Sequence, residues 1–223
     1  MGWHSILQGA LFTLAMTVIS TALAYLIGLP LGIILYATGK KGFRPNKVIN
    51  FALGLLVNVL RSVPCLILVV LCMPWVRAWF GVATGKWYAM IIPLFVATFA
   101  FVARLVEQSL NDVAPGKLEA LRSMGASDLQ LVTKGLLVET KPALISGVAV
   151  TAINVIGYTS FAYNIGAGGL IADIWSYYSR HTGSFYDSLE FWVMIVVVVA
   201  LVELFQEAGL SLSKFIDKRK TPV

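Results

Sequence analysis

The stretch from Glu119 to Leu144, EALRSMGASDLQLVTKGLLVETKPAL, is charged and helix-like, yet it lies between two long apolar runs. Apolar residues are regularly spaced at its start, since Leu118, directly before it, Leu121 and Met124 recur every three positions. This spacing predicts a helix with one apolar face. A charged helical insert of this kind indicates a segment that lies outside the membrane between two membrane spans.

Turn signals divide the insert, residues 114–141, into two short helices. Pro115 favours the first turn of a helix, and Gly125 favours a left-handed helix end. Ser127 and Gln130 have the spacing of a capping box, which opens a second helix. The sequence therefore predicts a helix, a glycine turn and a second helix.

The same order of elements is found in the DNA-binding helix-turn-helix. The flanking apolar runs tie both ends of the insert to the membrane, which argues against nucleic acid. Two interpretations remain, a helix lying in the membrane interface and a short cytoplasmic helix presented to another protein. The turn and the mixed polarity favour the second.

The composition predicts an integral membrane protein. The 223 residues are 58% hydrophobic and 13% charged, with a mean hydropathy of +0.83. A soluble domain carries about 25% charged residues. The length suits a single transmembrane domain, residues 1–223.

Apolar runs of about 20 residues predict membrane-spanning helices. The fifth run is the weakest, because only Phe191–Val202 is free of charge and the helix has to continue through Glu203. The fold class is therefore all-α, with five transmembrane helices and a cytoplasmic helix between the third and the fourth. The approximate spans are 6–36, 48–75, 87–110, 142–163 and 189–212.

The basic residues predict the orientation, because positively charged loops stay in the cytoplasm. With five spans, most of the 17 Lys and Arg residues fall on one side, which places the N-terminus outside and the C-terminus inside. These residues contact lipid headgroups rather than nucleic acid. They are Lys40, Lys41, Arg44, Lys47, Arg104, Lys117, Arg122, Lys134, Lys141, Lys214, Lys218, Arg219 and Lys220.

Several kinds of site are not predicted. Cys65 and Cys72 are seven residues apart, roughly 10 Å along a helix, which is too far for a disulfide. The cysteine spacing fits neither a zinc nor a haem site, so no metal is expected. The sequence also contains no phosphate-binding loop, so no nucleotide cofactor is expected in this chain.

The insert resembles the EAA loop of ABC importer permeases, on the residues Glu119, Ala120, Gly125 and Pro142. In that family the loop is a coupling helix, which docks into a groove on a separate ATPase subunit. Val138 departs from the pattern, because the family commonly has proline there. The coupling residues that the resemblance implies are Glu119, Ala120, Leu121, Met124, Gly125 and Ala126.

Three further stretches are similar to the methionine-type permeases: RSVPCLIL (61–68), ARLVEQSL (103–110) and IGAGGL (165–170). The resemblance implies two permease copies around a central pathway, two ATPase subunits that bind ATP and Mg²⁺, and an extracytoplasmic substrate-binding protein. It also implies a bacterial inner membrane location and methionine, including its D-isomer, as substrate. Alternatives are an ABC permease for cystine or another amino acid, and an ion-coupled carrier of amino acids.

Polar groups at the outer end of the fourth span are candidates for the translocation pathway. Tyr158, Ser160 and Asn164 are placed to hydrogen-bond the zwitterionic end of an amino acid, or to satisfy backbone groups near the glycine-rich turn. Arg61 precedes Pro64 by three residues. It either bonds carbonyls freed by the proline or contacts a substrate carboxylate, and the structural role is favoured.

Glycines and acidic residues complete the candidate positions. Gly166, Gly168 and Gly169 predict a bend or re-entrant turn, which has to be buried in protein. The aromatic tract 173–190 predicts an external aromatic belt and a docking surface for a substrate-delivering protein. Glu203 and Glu207 share one helix face, where Arg or Lys partners from another helix are expected. Gly28 and Gly32 form a G-x-x-x-G pair, which permits close helix approach.

Overall fold

The computed structural model describes residues 3–82, 84–180, 186 and 188–217. Its regular elements are all helical, which confirms the predicted all-α class. The α-helices are α1 (Trp3–Thr38), α2 (Lys47–Ser62), α3 (Cys65–Phe80), α4 (Ile91–Asn111), α5 (Pro115–Ser123), α6 (Asp128–Gln130), α7 (Leu137–Tyr158), α8 (Leu170–Arg180) and α9 (Leu189–Ile216).

The pairing of α1 with α4 forms the centre of the bundle. A Cβ atom placed on Gly28 would lie 2.8 Å from the Phe99 carbonyl oxygen, and one on Gly32 would lie 2.6 Å from that of Ala103. Glycine at both positions therefore lets the two backbones approach closely. The G-x-x-x-G pair has the packing role that the sequence predicts.

The predicted second span, 48–75, is covered by two helices, α2 and α3, which form a bent pair. α2 ends at Ser62 and α3 begins at Cys65, with a bend of 107° between them. Val63 has φ −77° and ψ 124°, because the ring of Pro64 disfavours helical backbone at the residue before it. Four single helices are long and apolar enough to cross a membrane, and the bent pair supplies a fifth candidate span.

The helix of the fourth span begins earlier than predicted. α6 continues through a π-helix, Leu131–Leu136, directly into α7. Pro142, the predicted start, lies inside α7, and Ser213 Oγ of α9 donates a hydrogen bond to the Pro142 carbonyl oxygen at 2.8 Å. α9 continues through Glu203 to Ile216, as the sequence predicts.

An amphipathic helix, α8, overlaps the first part of the predicted aromatic tract. Leu170 and Tyr177 are buried on one face of α8, where they pack with Phe191 and Met194 of α9. The spacing of Leu170, Ile174 and Tyr177 is the available helical signal. Residues 181–185 and 187 of the tract lie outside the described residues.

Candidate functional site

The coupling segment, residues 115–130, has the local structure that the sequence predicts. α5 begins at Pro115, and Gly125 has φ +81°. Ser127 Oγ accepts a hydrogen bond from the Gln130 backbone N–H at 3.3 Å, and the Ser127 N–H donates to Gln130 Oε1 at 2.8 Å. The capping box is therefore confirmed.

The glycine turn presents apolar side chains at the surface. Met124 is 74% exposed and Leu129 is 72% exposed. Exposed apolar side chains in an otherwise polar segment are typical of an interaction surface. Glu119, Ala120 and Gly125 are also exposed.

The two remaining residues predicted to take part in coupling are less accessible. Leu121 and Ala126 are only partly exposed. The Leu121 side chain packs over the π-helix, because its Cδ1 atom lies 2.7 Å from where a Cβ on Gly135 would stand. Leu121 therefore connects α5 to the π-helix of its own chain.

Polar contacts attach the coupling segment to two other parts of the chain. Lys117 forms an ion pair with Glu139 of α7. Arg44, in the loop between α1 and α2, forms an ion pair with Asp128. These pairs join residues that are far apart in sequence, so no local pattern predicts them.

A cavity of about 160 Å³ lies at the break between α2 and α3 and brings two predicted pathway residues together. Arg61 and Tyr158 both line it. Arg61 is exposed in the last turn of α2, where its positive charge complements the helix dipole. The other lining residues are Leu60, Val63, Cys65, Leu68, Ala97 and Phe101.

The predicted bond from Arg61 to a freed carbonyl is not found within the described residues. Ser160 and Asn164 lie outside the cavity lining. Asn164 Nδ2 donates to the Phe161 carbonyl oxygen at 3.4 Å, which agrees with the alternative that Asn164 satisfies backbone near the turn.

The glycine-rich turn is present and packs against α1. Gly166, Gly168 and Gly169 have φ of +63°, +77° and +102°. The Leu170 N–H that follows donates to Thr13 Oγ1 of α1 at 2.8 Å. Gly169 is buried and Gly168 is half-buried, whereas Gly166 is exposed, so only the end of the turn is held in protein.

Charged groups within the spans differ from the predicted layout. Arg104 lies inside α4, within the predicted third span, and it contacts Glu107 at 2.5 Å and Asn58 Oδ1 at 2.6 Å. Glu203 and Glu207 are exposed on α9. The described part of the chain gives neither of them the expected basic partner, and it contains no cluster of three metal-binding side chains.

Comparison with known proteins identifies the family. The family described as "Binding-protein-dependent transport system inner membrane component" matches residues 28–212. The chain belongs to this family. As a member, it is a multi-pass inner-membrane transport subunit, and the resemblance to ABC importer permeases is confirmed.

Other members of this permease family are similar over most of their length. A probable D-methionine transport system permease protein of Vibrio cholerae is 38% identical over 93% of this chain and 90% of its own. A methionine import system permease of Bacillus subtilis is 37% identical over 83% and 82%.

A solved structure has the same fold. The MetNI methionine ABC transporter, in an inward-facing conformation, contains a chain with a TM-score of 0.89 and 33% identity. The similarity covers 98% of this chain and 100% of that one.

Proposed function

We propose that the chain is the membrane-spanning permease subunit of an ATP-driven importer for methionine, including D-methionine. The observation that carries this proposal is the 38% identity to a probable D-methionine permease over nearly the whole chain. The likeness to a chain of the methionine transporter at a TM-score of 0.89 supports it.

ATP and Mg²⁺ bind to a separate ATPase subunit in this proposal, and this chain has no enzymatic activity of its own. Two ATPase subunits dock on two permease copies. The coupling segment supplies the docking surface, with Met124 and Leu129 as apolar contacts and Glu119 and Ala120 beside them. An extracytoplasmic binding protein delivers the substrate.

The Arg61 cavity lies on the translocation pathway in this proposal. The Arg61 guanidinium pairs with the substrate carboxylate as it passes, and the Tyr158 hydroxyl donates a hydrogen bond to it. The thioether side chain needs no charged partner of its own. Ser160 and Asn164 lie further along the chain, at the outer end.

The proposed orientation places the N-terminus outside and the C-terminus in the cytoplasm. Arg44 lies after α1 and Asp128 before α7, so their ion pair supports a common side for these two connections. Lys40, Lys41 and Arg122 belong to the same connections, and such basic groups are retained in the cytoplasm. Lys218, Arg219 and Lys220 lie outside the described residues.

Uptake by proteoliposomes containing the permease, its ATPase and its binding protein tests the function. We expect labelled methionine to enter only with ATP, and methionine to stimulate ATP hydrolysis. A complex with a hydrolysis-deficient ATPase is the control, and cystine and glutamine are competitors. If cystine enters and stimulates hydrolysis while methionine does neither, the assignment of methionine as the substrate is wrong. ATP-independent uptake that ionophores abolish indicates an ion-coupled carrier instead.

A further inference from the structure

The loop between α1 and α2, residues 39–46, forms a firm connection between these helices. The Arg44 N–H donates to the Ala37 carbonyl oxygen at 3.0 Å, and the Asn46 N–H donates to that of Thr38 at 2.9 Å. The Asn46 side chain also caps α2, accepting from two of its first N–H groups at 3.1 Å. Because these hydrogen bonds join the loop to both helices, a displacement of the loop is expected to move α2 with it.

The coupling segment contacts this loop on both sides of its glycine turn. Before Gly125, Arg122 Nη2 donates to the Phe43 carbonyl oxygen at 2.9 Å. After Gly125, Asp128 forms its ion pair with Arg44. The turn that presents the apolar docking side chains is thus held to the loop at two points.

Apolar packing reinforces the same contact. Phe43 from the loop and Leu118 from the coupling segment pack on one hydrophobic cluster. Tyr36 from the end of α1 and Leu136 from the π-helix are buried members of that cluster. The loop, the coupling segment and the start of α7 therefore meet in one place.

We propose that the α1–α2 loop is a second coupling element, which transmits movement of the coupling segment to α2 through the Arg44–Asp128 pair and the Arg122–Phe43 bond. This proposal rests on the proposed function. α2 has 16 residues, so it carries the movement about 24 Å along its axis, to the break at Pro64 and the Arg61 cavity. Arg44, Asp128 and Arg122 are positioning residues, since they do not touch the substrate.

A role in coupling is separable from a role in stability. The Arg44 side chain is 77% exposed in its ion pair with Asp128, and exposed ion pairs contribute little to folding. Reversing either charge turns the attraction into a repulsion at the same place. Exchanging both charges restores the attraction.

The test uses the complete transport complex in proteoliposomes and measures substrate transported per ATP hydrolysed. We expect Arg44→Asp and Asp128→Arg each to lower this ratio roughly 5- to 10-fold. We expect the double exchange to restore it to within about twofold, and Arg44→Lys to retain it. Lys40→Asp is the matched control, because Lys40 is exposed in the same loop and takes part in none of the ion pairs of the described residues.

Three outcomes overturn the proposal: a normal ratio in both single variants, failure of the double exchange to restore it, or an equal loss in Lys40→Asp. Loss of ATPase binding in the single variants also overturns it, because the pair would then hold the docking surface in place. Failure of the unmodified complex to transport methionine or to bind an ATPase overturns the proposed function instead.

Discussion

Gly125 shows how one residue fixes the shape of the coupling segment. A Cβ atom at this position would meet nothing within 4 Å, so space is not the constraint. The constraint is φ +81°, where a side chain costs roughly 1–2 kcal/mol. We expect Gly125→Val to distort the turn, so that transport falls at least fivefold while substrate binding by the external protein is unchanged.

Gly116→Val is the matched control for this variant. Gly116 lies in the same segment, also with open space around a Cβ atom, but it is helical rather than left-handed. Uptake and ATP hydrolysis are measured for both variants. Full transport by a stably assembled Gly125→Val complex would remove the coupling role from this turn.

Asp173 in α8 is expected to make the stability of the chain pH-dependent. Burial raises the pKa of its carboxyl from 3.8 to about 6, and the positive charge of Arg180 opposes the rise. The folded chain therefore binds a proton more tightly than the unfolded chain, so the free energy of unfolding falls as the pH rises from about 4 to 6. Asp173→Asn should melt above the unmodified chain at pH 7.5 and level with it below pH 4.

Thermal unfolding of the purified protein at a series of pH values measures this difference. Arg180→Gln gives an independent check, because removing the opposing charge should extend the pH-dependent range upward. An Asp173→Asn variant whose melting temperature follows that of the unmodified chain at every pH would contradict the prediction.

Residues with local roles could be predicted from the sequence, while residues with distant partners could not. The left-handed Gly125 and the Ser127–Gln130 capping box depend on neighbours within a few positions, so the pattern suffices. Arg44 and Asp128 are 84 positions apart, and their pairing depends on how the bundle packs.

At the scale of elements, the close approach of α1 and α4 predicts that even a small side chain at Gly32 destabilises the fold. A Cβ atom on Gly32 would approach the Ala103 carbonyl oxygen to 2.6 Å, so Gly32→Val forces the helices apart. Overpacking of this kind typically costs 1–3 kcal/mol. We expect a lower melting temperature and a lower yield of folded permease.

Gly54→Val is the control, because Gly54 is also helical and a Cβ atom there would meet nothing within 4 Å. Both variants carry the same change in helix propensity, so the difference in thermal unfolding isolates the packing. Equal melting temperatures in the two variants would show that α1 and α4 do not need their close approach.

The elements that the sequence misplaced have physical reasons. Pro64 disfavours helical backbone at Val63, and this divides the second apolar run into two helices. The sequence predicts that the fourth span starts at Pro142, but a proline inside a membrane helix is tolerated when its neighbours satisfy the backbone. The many aromatic residues around α8 favour the prediction of an aromatic belt, and the helical spacing of its apolar residues is less apparent among them.

At the scale of the whole molecule, the orientation predicts which side chains an impermeant thiol reagent reaches in intact cells. Cys65 and Cys72 are first replaced by alanine. A cysteine in place of the exposed Ser179 should then be labelled, because α8 is placed outside. One in place of the exposed Lys41 should react only after permeabilisation.

The reverse labelling pattern would contradict the five-span orientation.

The sequence predicts the number of apolar runs and the distribution of charge, because the bilayer acts on each residue separately. The pathway is harder to predict, since it forms where different helices meet. Arg61 and Tyr158 share a cavity, while Ser160 and Asn164 lie outside it.

Membrane thickness matters to this protein because of α9. The helix has 28 residues, about 42 Å, against a hydrocarbon layer of about 30 Å. Its charge-free part, Phe191–Val202, covers only about 18 Å, so the exposed Glu203 falls within the hydrocarbon. Wherever this face of α9 meets lipid rather than the second permease copy, the leaflet around Glu203 has to thin or admit water. Longer acyl chains make that deformation more costly. The position of α9 across the bilayer is therefore expected to depend on lipid chain length.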